Sequence, residues 1–182
     1  MARAVHVVDY IEIPDNVKVE IRGKSVVVKG LKGEIARDFS FARDIDISIE
    51  DNKVVIETFF ADSKKKALIY TISSHINNMI IGVAKGWRYK LKVVSSHFPV
   101  SVKVVGDYVV IENFLGEKAP RKARILEGVK VKIEGKDIIV EGIDIEKVAQ
   151  TAANIELATK IKDKDRRIFV DGIYIYEKGV AE

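Results

Sequence analysis

Apolar and polar positions alternate in short runs before turning to helical spacing, and the chain of 182 residues does this twice. In the front half the every-second-residue pattern falls on 17–21, 25–29, 47–50 and 54–58, as expected of strands that bury one face. Asp51-Asn52 supplies a tight turn between the last two. From about 64 to 81 the period becomes helical. Leu68, Ile72, Ile76 and Met79 form one stripe, Asp62 or Ser63 stands ready to cap the helix, and Gly82 to end it. In the back half strands are expected at 102–105, 108–112, 129–134 and 137–141, with turns at Gly106-Asp107 and Gly135-Lys136. A helix from about 145 to 161 follows an Asp144 cap and turns Val148, Ala152 and Ile155 inward.

The two halves also match in residue type. Pro14-x-x-Val17-x-Val19 reappears as Pro99-x-x-Val102-x-Val104, and Val26-Val-Val28-x-x-Leu31-x-Gly33 as Val109-Val-Ile111-x-x-Phe114-x-Gly116. Ile49-Glu50 with Val54-Val-Ile-Glu57 matches Ile133-Glu134 with Ile138-Ile-Val-Glu141, at an offset of 84 (133 − 49). Three matches in the same order, each set followed by a helix, predict a duplication. The expected fold is α+β: two tandem copies of a small domain, each an antiparallel sheet packed against one helix. The expected divisions are a front repeat at 1–82, a basic junction strand at 83–98, and a back repeat at 99–182 that carries a basic loop and tail.

Composition narrows the chemistry. Hydrophobic residues at 47% suffice for a core, and no cysteine is present to form disulfides or thiolate metal sites. Asp9 interrupts the start before a signal-peptide core can form, and no uninterrupted apolar run reaches the length of a membrane span. A cytoplasmic chain with no membrane partner is expected. His6, His75 and His97 lack metal-ligand spacing, no glycine-rich phosphate loop precedes a helix, and no carboxylate pair stands out from the charged background. These absences argue against an enzyme, a cofactor and a small-molecule substrate.

Charge is unevenly distributed. Residues 1–82 carry 12 basic and 12 acidic groups, 83–124 carry 9 and 3, and 125–182 carry 10 and 12, so the net charges are 0, +6 and −2. A basic segment in an otherwise balanced chain is the footprint of a polyanion-binding surface. As a strand, 86–94 would place Trp87, Tyr89, Leu91 and Val93 on one face and Arg88, Lys90 and Lys92 on the other. That is either a ribbon aimed at phosphates or a half-buried strand with a basic outer face. Three like charges in a row repel one another unless a polyanion lies opposite, which favours the ribbon. Trp87 and Tyr89 are expected in the core, the alternative being platforms on which bases stack. The loop 113–124 holds Lys118, Arg121, Lys122 and Arg124, more charge than the corresponding front loop at 29–37. The guanidinium groups would fork onto phosphates and the lysines act as point charges. The tail, with Arg166, Arg167 and Lys178, either extends this patch or packs through Phe169, Ile173 and Ile175.

Four motifs carry a resemblance. Gly82-Val-x-Lys-Gly86-x-Arg-Tyr-Lys90, His97-Phe-Pro99, Asn113-Phe-Leu-Gly-Glu-Lys118 and Asp171-Gly-Ile-Tyr174-x-x-Glu-Lys-Gly179 span the chain. Together they resemble the family of the sixth protein of the large ribosomal subunit, in its archaeal and eukaryotic branch. Trp87 stands where the family pattern leads one to expect phenylalanine. The resemblance implies two tandem α+β domains bound to large-subunit ribosomal RNA beside the sarcin–ricin loop. Neighbouring ribosomal proteins would be partners, and translational GTPases would dock nearby. It implies that the back domain carries much of the RNA contact, through Lys118, Arg121, Lys122 and Arg124 with Lys85, Arg88 and Lys90 at the junction. The other expectation is a protein-docking module that leaves RNA alone; an RNA binder loses affinity steeply with salt and an apolar protein interface does not.

Overall fold

Alternation in the front unit yields two three-stranded antiparallel sheets that share one helix. The computed structural model describes residues 4–162, 164–165 and 167–181, and the chain divides into the units Met1–Lys85 and Gly86–Glu182. Chain order in the front unit is β1 (Ala4–Glu12), β2 (Lys18–Arg22), β3 (Ser25–Gly30), β4 (Gly33–Asp38), β5 (Asp46–Glu50), β6 (Lys53–Ala61) and α1 (Ser63–Ala84). The sheets are ordered β1-β6-β5 and β2-β3-β4. Val26 and Val28 of β3, Val54 and Ile56 of β6, and Ile69, Ile72, Ile76 and Val83 of α1 are fully buried and form the centre of one core. β1 was hard to anticipate because Val7-Val8 breaks its alternation. It forms by pairing with β6, from Ala4↔Ala61 to Glu12↔Lys53.

Asp62 caps α1, its carboxylate accepting from the Lys65 N–H at 2.8 Å. The helix does not stop at Gly82 but runs on to Ala84. The reason is a partner for its last turn: the Val83 carbonyl, one of the orphan acceptors at a helix end, accepts from the Lys32 N–H at 3.0 Å. Gly30 makes that approach possible, since a Cβ there would lie 2.7 Å from the Val83 carbonyl oxygen. α1 is long and apolar enough by length and composition to cross a membrane, although charged and polar residues interrupt its apolar positions. Here its apolar stripe lies against the unit's own sheets.

The back unit runs β7 (Trp87–Val94), β8 (Ser101–Val105), β9 (Tyr108–Glu112), a 3-10 turn at Phe114–Gly116, β10 (Arg121–Arg124), β11 (Val129–Glu134), β12 (Asp137–Gly142), α2 (Ile145–Ala158) and β13 (Gly172–Val180). The sheets are ordered β11-β12-β7-β13 and β10-β9-β8. Val148, Ala152 and Ile155 are fully buried, as their spacing predicts, and Asp144 caps α2 through the Glu146 N–H at 2.9 Å. Residues 83–98, expected as a junction, divide between the units: Val83 and Ala84 finish α1, and β7 is an inner strand between β12 and β13. The expected loop 113–124 is a turn plus an edge strand, β10. The tail supplies β13, with Ile173 buried.

Cross-strand register refines the internal alignment. Glu12 opposes Lys53, and Lys92 opposes Asp137, so β1 and β7 correspond at an offset of 80 (92 − 12). Val19 opposes Val28 and Val102 opposes Ile111, so the following hairpins correspond at 83 (102 − 19). The prolines gave 85 (99 − 14) for β2 and β8, which is two residues off. A shift of two preserves the inside–outside alternation, so both alignments turn the same side of the strands to the core. Because 83 − 80 = 3, the back unit carries three extra residues between its first two strands, in the segment that holds His97.

Candidate nucleic-acid interface

The ladder on β7 is neutralised from within. Antiparallel pairing places Glu141 opposite Arg88, Glu177 opposite Lys90 and Asp137 opposite Lys92. Their charged groups meet at 2.6, 2.9 and 3.7 Å respectively. A register shift between Ile175 and Glu177 in β13 brings Glu177 into line with Lys90. The Glu177 hydrogen bond holds the Lys90 ammonium above the usual lysine range. Three like charges on one face did call for negative charge opposite, but the flanking strands supply it. This corrects the electrostatic reason for reading Arg88, Lys90 and Lys92 as a phosphate-facing ribbon. Trp87, Tyr89, Leu91 and Val93 are buried on the other face, as expected of core residues.

Three of the motifs meet in space within the back unit. The fully buried Asp171 carboxylate accepts from the N–H groups of Ser96 and His97 at 3.0 and 3.1 Å, and lies 2.8 Å from His97 Nδ1. Burial pushes its carboxyl up, but the hydrogen bonds from the His97 ring and the two N–H groups outweigh this and hold it below the usual carboxylate range. The same segment is held from the other side. Asn113 Nδ2 donates to the Pro99 carbonyl at 2.9 Å, and the Phe98 ring lies where a Cβ on Gly116 would be 3.2 Å away. Asn113, Leu115 and Gly116 all have left-handed φ (57°, 51° and 77°), so this turn is tightly wound and needs these supports. The Asp171–His97 contact, 74 residues apart in sequence, has no signal in spacing.

Arg121 is turned inward. It occupies the core-facing register of β10, opposite Ile111, where the front unit has Ile35 opposite Val28. Its Nε and Nη2 donate to both Glu117 oxygens at 2.8 and 2.6 Å, and Nη1 donates to the carbonyls of Ala158 and Lys160 at 2.9 and 3.2 Å. The guanidinium also lies 4.5 Å over the Phe114 ring. It thereby complements the negative end of α2 and ties β10 to it. The fork expected for phosphate is here engaged by the protein itself, by Glu117 and the end of α2.

The remaining expected cations differ in how far they are occupied. Lys118, Lys122 and Arg124 are exposed and have no side-chain partner among the described residues. Lys85 is exposed at the end of α1. Arg167 is paired with Asp165 at 2.8 Å, and Lys178 lies 5.9 Å over the Tyr89 ring. Arg166 lies outside the described residues. Lys103, another cation of the basic stretch 83–124, stands on the same sheet as Lys122 and Arg124. Strand alternation alone could have put it on an outer face; only the β8–β9–β10 pairing places it two strands from Lys122.

Fold and surface together define a duplicated α+β protein whose charge is arranged as a surface. The family model described as Ribosomal protein L6 matches it twice, over residues 13–86 and 98–172, chiefly one match per unit. The chain belongs to the ribosomal protein L6 family, in its archaeal branch. It is 62% identical over 180 residues to "Large ribosomal subunit protein uL6" of Aeropyrum pernix, with 99% of each chain covered. It is 60% identical over 184 residues to the protein of that name from Ignicoccus hospitalis, again covering 99% of each. The one from Staphylothermus marinus is 60% identical over 185 residues, with both chains covered in full. Membership of this family makes the chain a structural protein rather than an enzyme, and the duplication in the sequence is the family's own repeat.

Proposed function

We propose that this chain is a structural constituent of the large ribosomal subunit, in the cytoplasm, and that its back unit binds folded ribosomal RNA beside the sarcin–ricin loop and the translation-factor site. Relatives named as large-subunit proteins align along the whole chain at about the same identity, which supports the ribosomal assignment. The observation that carries RNA binding is the contrast among cations of the back unit. Arg88, Lys90, Lys92 and Arg121 are held by carboxylates, whereas Lys118, Lys122 and Arg124 have no partner among the described residues. Cations left open on a folded surface are available to displace counterions from phosphates. Neighbouring ribosomal proteins complete the site, and translational GTPases act close by.

The test is binding to a transcribed large-subunit rRNA fragment carrying the sarcin–ricin hairpin, across a salt series. Wild type should show log K falling with log[salt] at a slope of about −3 to −6, given about 0.7–0.9 per phosphate engaged. The Lys118→Glu, Lys122→Glu, Arg124→Glu variant should lose at least two units of that slope, by the same rule of about 0.7–0.9 per contact. A flat slope for wild type would instead favour a protein-docking module.

A further inference from the structure

The duplication supplies an internal reference for one face of the back unit. Cross-strand partners share a face, so the registers define the outward side of each three-stranded sheet, the side turned away from its helix. In the front unit Glu20, Val27 and Ala36 lie in one row across β2-β3-β4, and Arg22, Ser25 and Asp38 in the next. In the back unit the corresponding rows across β8-β9-β10 are Lys103, Val110 and Lys122, then Val105, Tyr108 and Arg124. Position by position, Glu20 has become Lys103, Ala36 has become Lys122, Asp38 has become Arg124 and Ser25 has become Tyr108.

The front face closes its own charge. Glu20 lies 3.4 Å from Lys18, 3.1 Å from Arg22 and 3.9 Å from Lys29, and Lys29 also lies 3.4 Å from Glu34. With Asp38, the three cations face three carboxylates, a net charge of 0 (3 − 3). On the back face three cations, Lys103, Lys122 and Arg124, meet only Glu112, which takes Lys103 at 2.8 Å, a net charge of +2 (3 − 1). In the middle of that positive face Tyr108 is 45% exposed and flanked by Val105 at 55%. Its hydroxyl has no hydrogen-bond partner among the described residues. An apolar, flat ring framed by cations suits a nucleotide, with phosphates on the cations and the base on the ring.

We infer that the outward face of β8-β9-β10 is a nucleotide seat that takes one unstacked base of folded RNA against Tyr108, with Lys103, Lys122 and Arg124 on the adjoining phosphates. The inference rests on the rRNA-binding reading and adds to it a particular surface and a particular kind of contact. One ring gives one seat, which fits a bulge or loop and not a run of single strand. The cations and the ring make separable contributions. Removing a cation lowers both affinity and the salt dependence, whereas removing the ring lowers affinity alone.

The experiment uses the full chain and transcribed large-subunit rRNA over a salt series, with each variant first checked for an unchanged melting profile. Tyr108→Ala should weaken binding about tenfold with an unchanged slope, and Tyr108→Phe should retain wild-type affinity. Lys122→Ala with Arg124→Ala should reduce the slope by about 1.5 units. If wild type binds and the charge variant keeps its slope, the inference falls while the rRNA reading stands. If Tyr108→Ala binds like wild type, the base seat is overturned. If wild type does not bind the RNA, the rRNA reading fails and this inference with it.

Discussion

The outward faces of the front and back three-stranded sheets are the same surface built twice, with opposite outcomes. Their central strands keep the same buried side: Val26 and Val28 answer to Val109 and Ile111, all fully buried, and the main exchange on that side is Arg121 in the register of Ile35. Their open sides differ at nearly every charged position. In the front unit Glu20 gathers three cations, and its carboxyl is held below the usual range first by the Arg22 hydrogen bond and then by Lys29 and Lys18. In the back unit the position of Glu20 is taken by Lys103, and the cations around it lose their common partner. Packing constrains one side of a strand strongly and the other weakly, so a duplicated fold can keep its core while one copy acquires a new surface.

The largest expected effect comes from giving the back face the residues of the front. Lys103→Glu, Tyr108→Ser, Lys122→Ala and Arg124→Asp together should lower affinity for large-subunit rRNA by about a hundred- to a thousandfold at about 0.1 M salt. Filter binding would show it, and a loss below tenfold would mean that the contrast between the faces has no bearing on RNA. In that background the reciprocal change, Glu20→Lys, Ser25→Tyr, Ala36→Lys and Asp38→Arg, should return about tenfold of affinity with part of the salt slope. No recovery would show that the back unit supplies something besides this face.

The next effects concern what holds the back unit around that face. Asp171→Asn should destabilise it by about 2–3 kcal/mol at neutral pH, because a buried carboxylate with three hydrogen bonds loses most of their strength. The pH dependence follows from the depressed pKa. The stabilisation is fully present above the unfolded carboxyl value of about 3.9 and is lost as pH falls through the lower folded value. Thermal melts should therefore show the gap between wild type and Asp171→Asn closing in acid; a constant gap would separate the effect from this titration. Arg121→Ala should destabilise by about 1–3 kcal/mol while leaving the rRNA salt slope unchanged, and Arg121→Lys should recover little, since lysine cannot reproduce the fork. A drop in slope for Arg121→Ala would return that residue to the RNA. The smallest effect is expected for Lys92→Ala on β7, whose loose 3.7 Å contact with Asp137 predicts nearly unchanged melting and RNA affinity.

Much of this was legible beforehand because it depends on neighbours in sequence. The stripe Ile72, Ile76, Met79 and the trio Val148, Ala152, Ile155 declared two helices and their buried sides, and both Asp caps stood where helical spacing began. The repeat declared two copies of one fold, and the strands 25–29 and 108–112 were placed within a residue of β3 and β9. Less visible were β1 and β13. Their strand character depends on pairing with β6 and β7, tens of residues away, which periodicity does not report.

For the site, the sequence by itself determined that positive charge gathers between residues 83 and 124, and that the two copies differ most there. Which of those charges remain open was decided only by the tertiary structure. Arg88, Lys90 and Lys92 meet Glu141, Glu177 and Asp137 from other strands, and Arg121 meets the end of α2, while Lys122 and Arg124 meet no carboxylate among the described residues. The physical reason is range. A side chain's own charge is written at its position, but the field around it is set within a few ångströms by groups that pairing and packing bring there from distant parts of the chain.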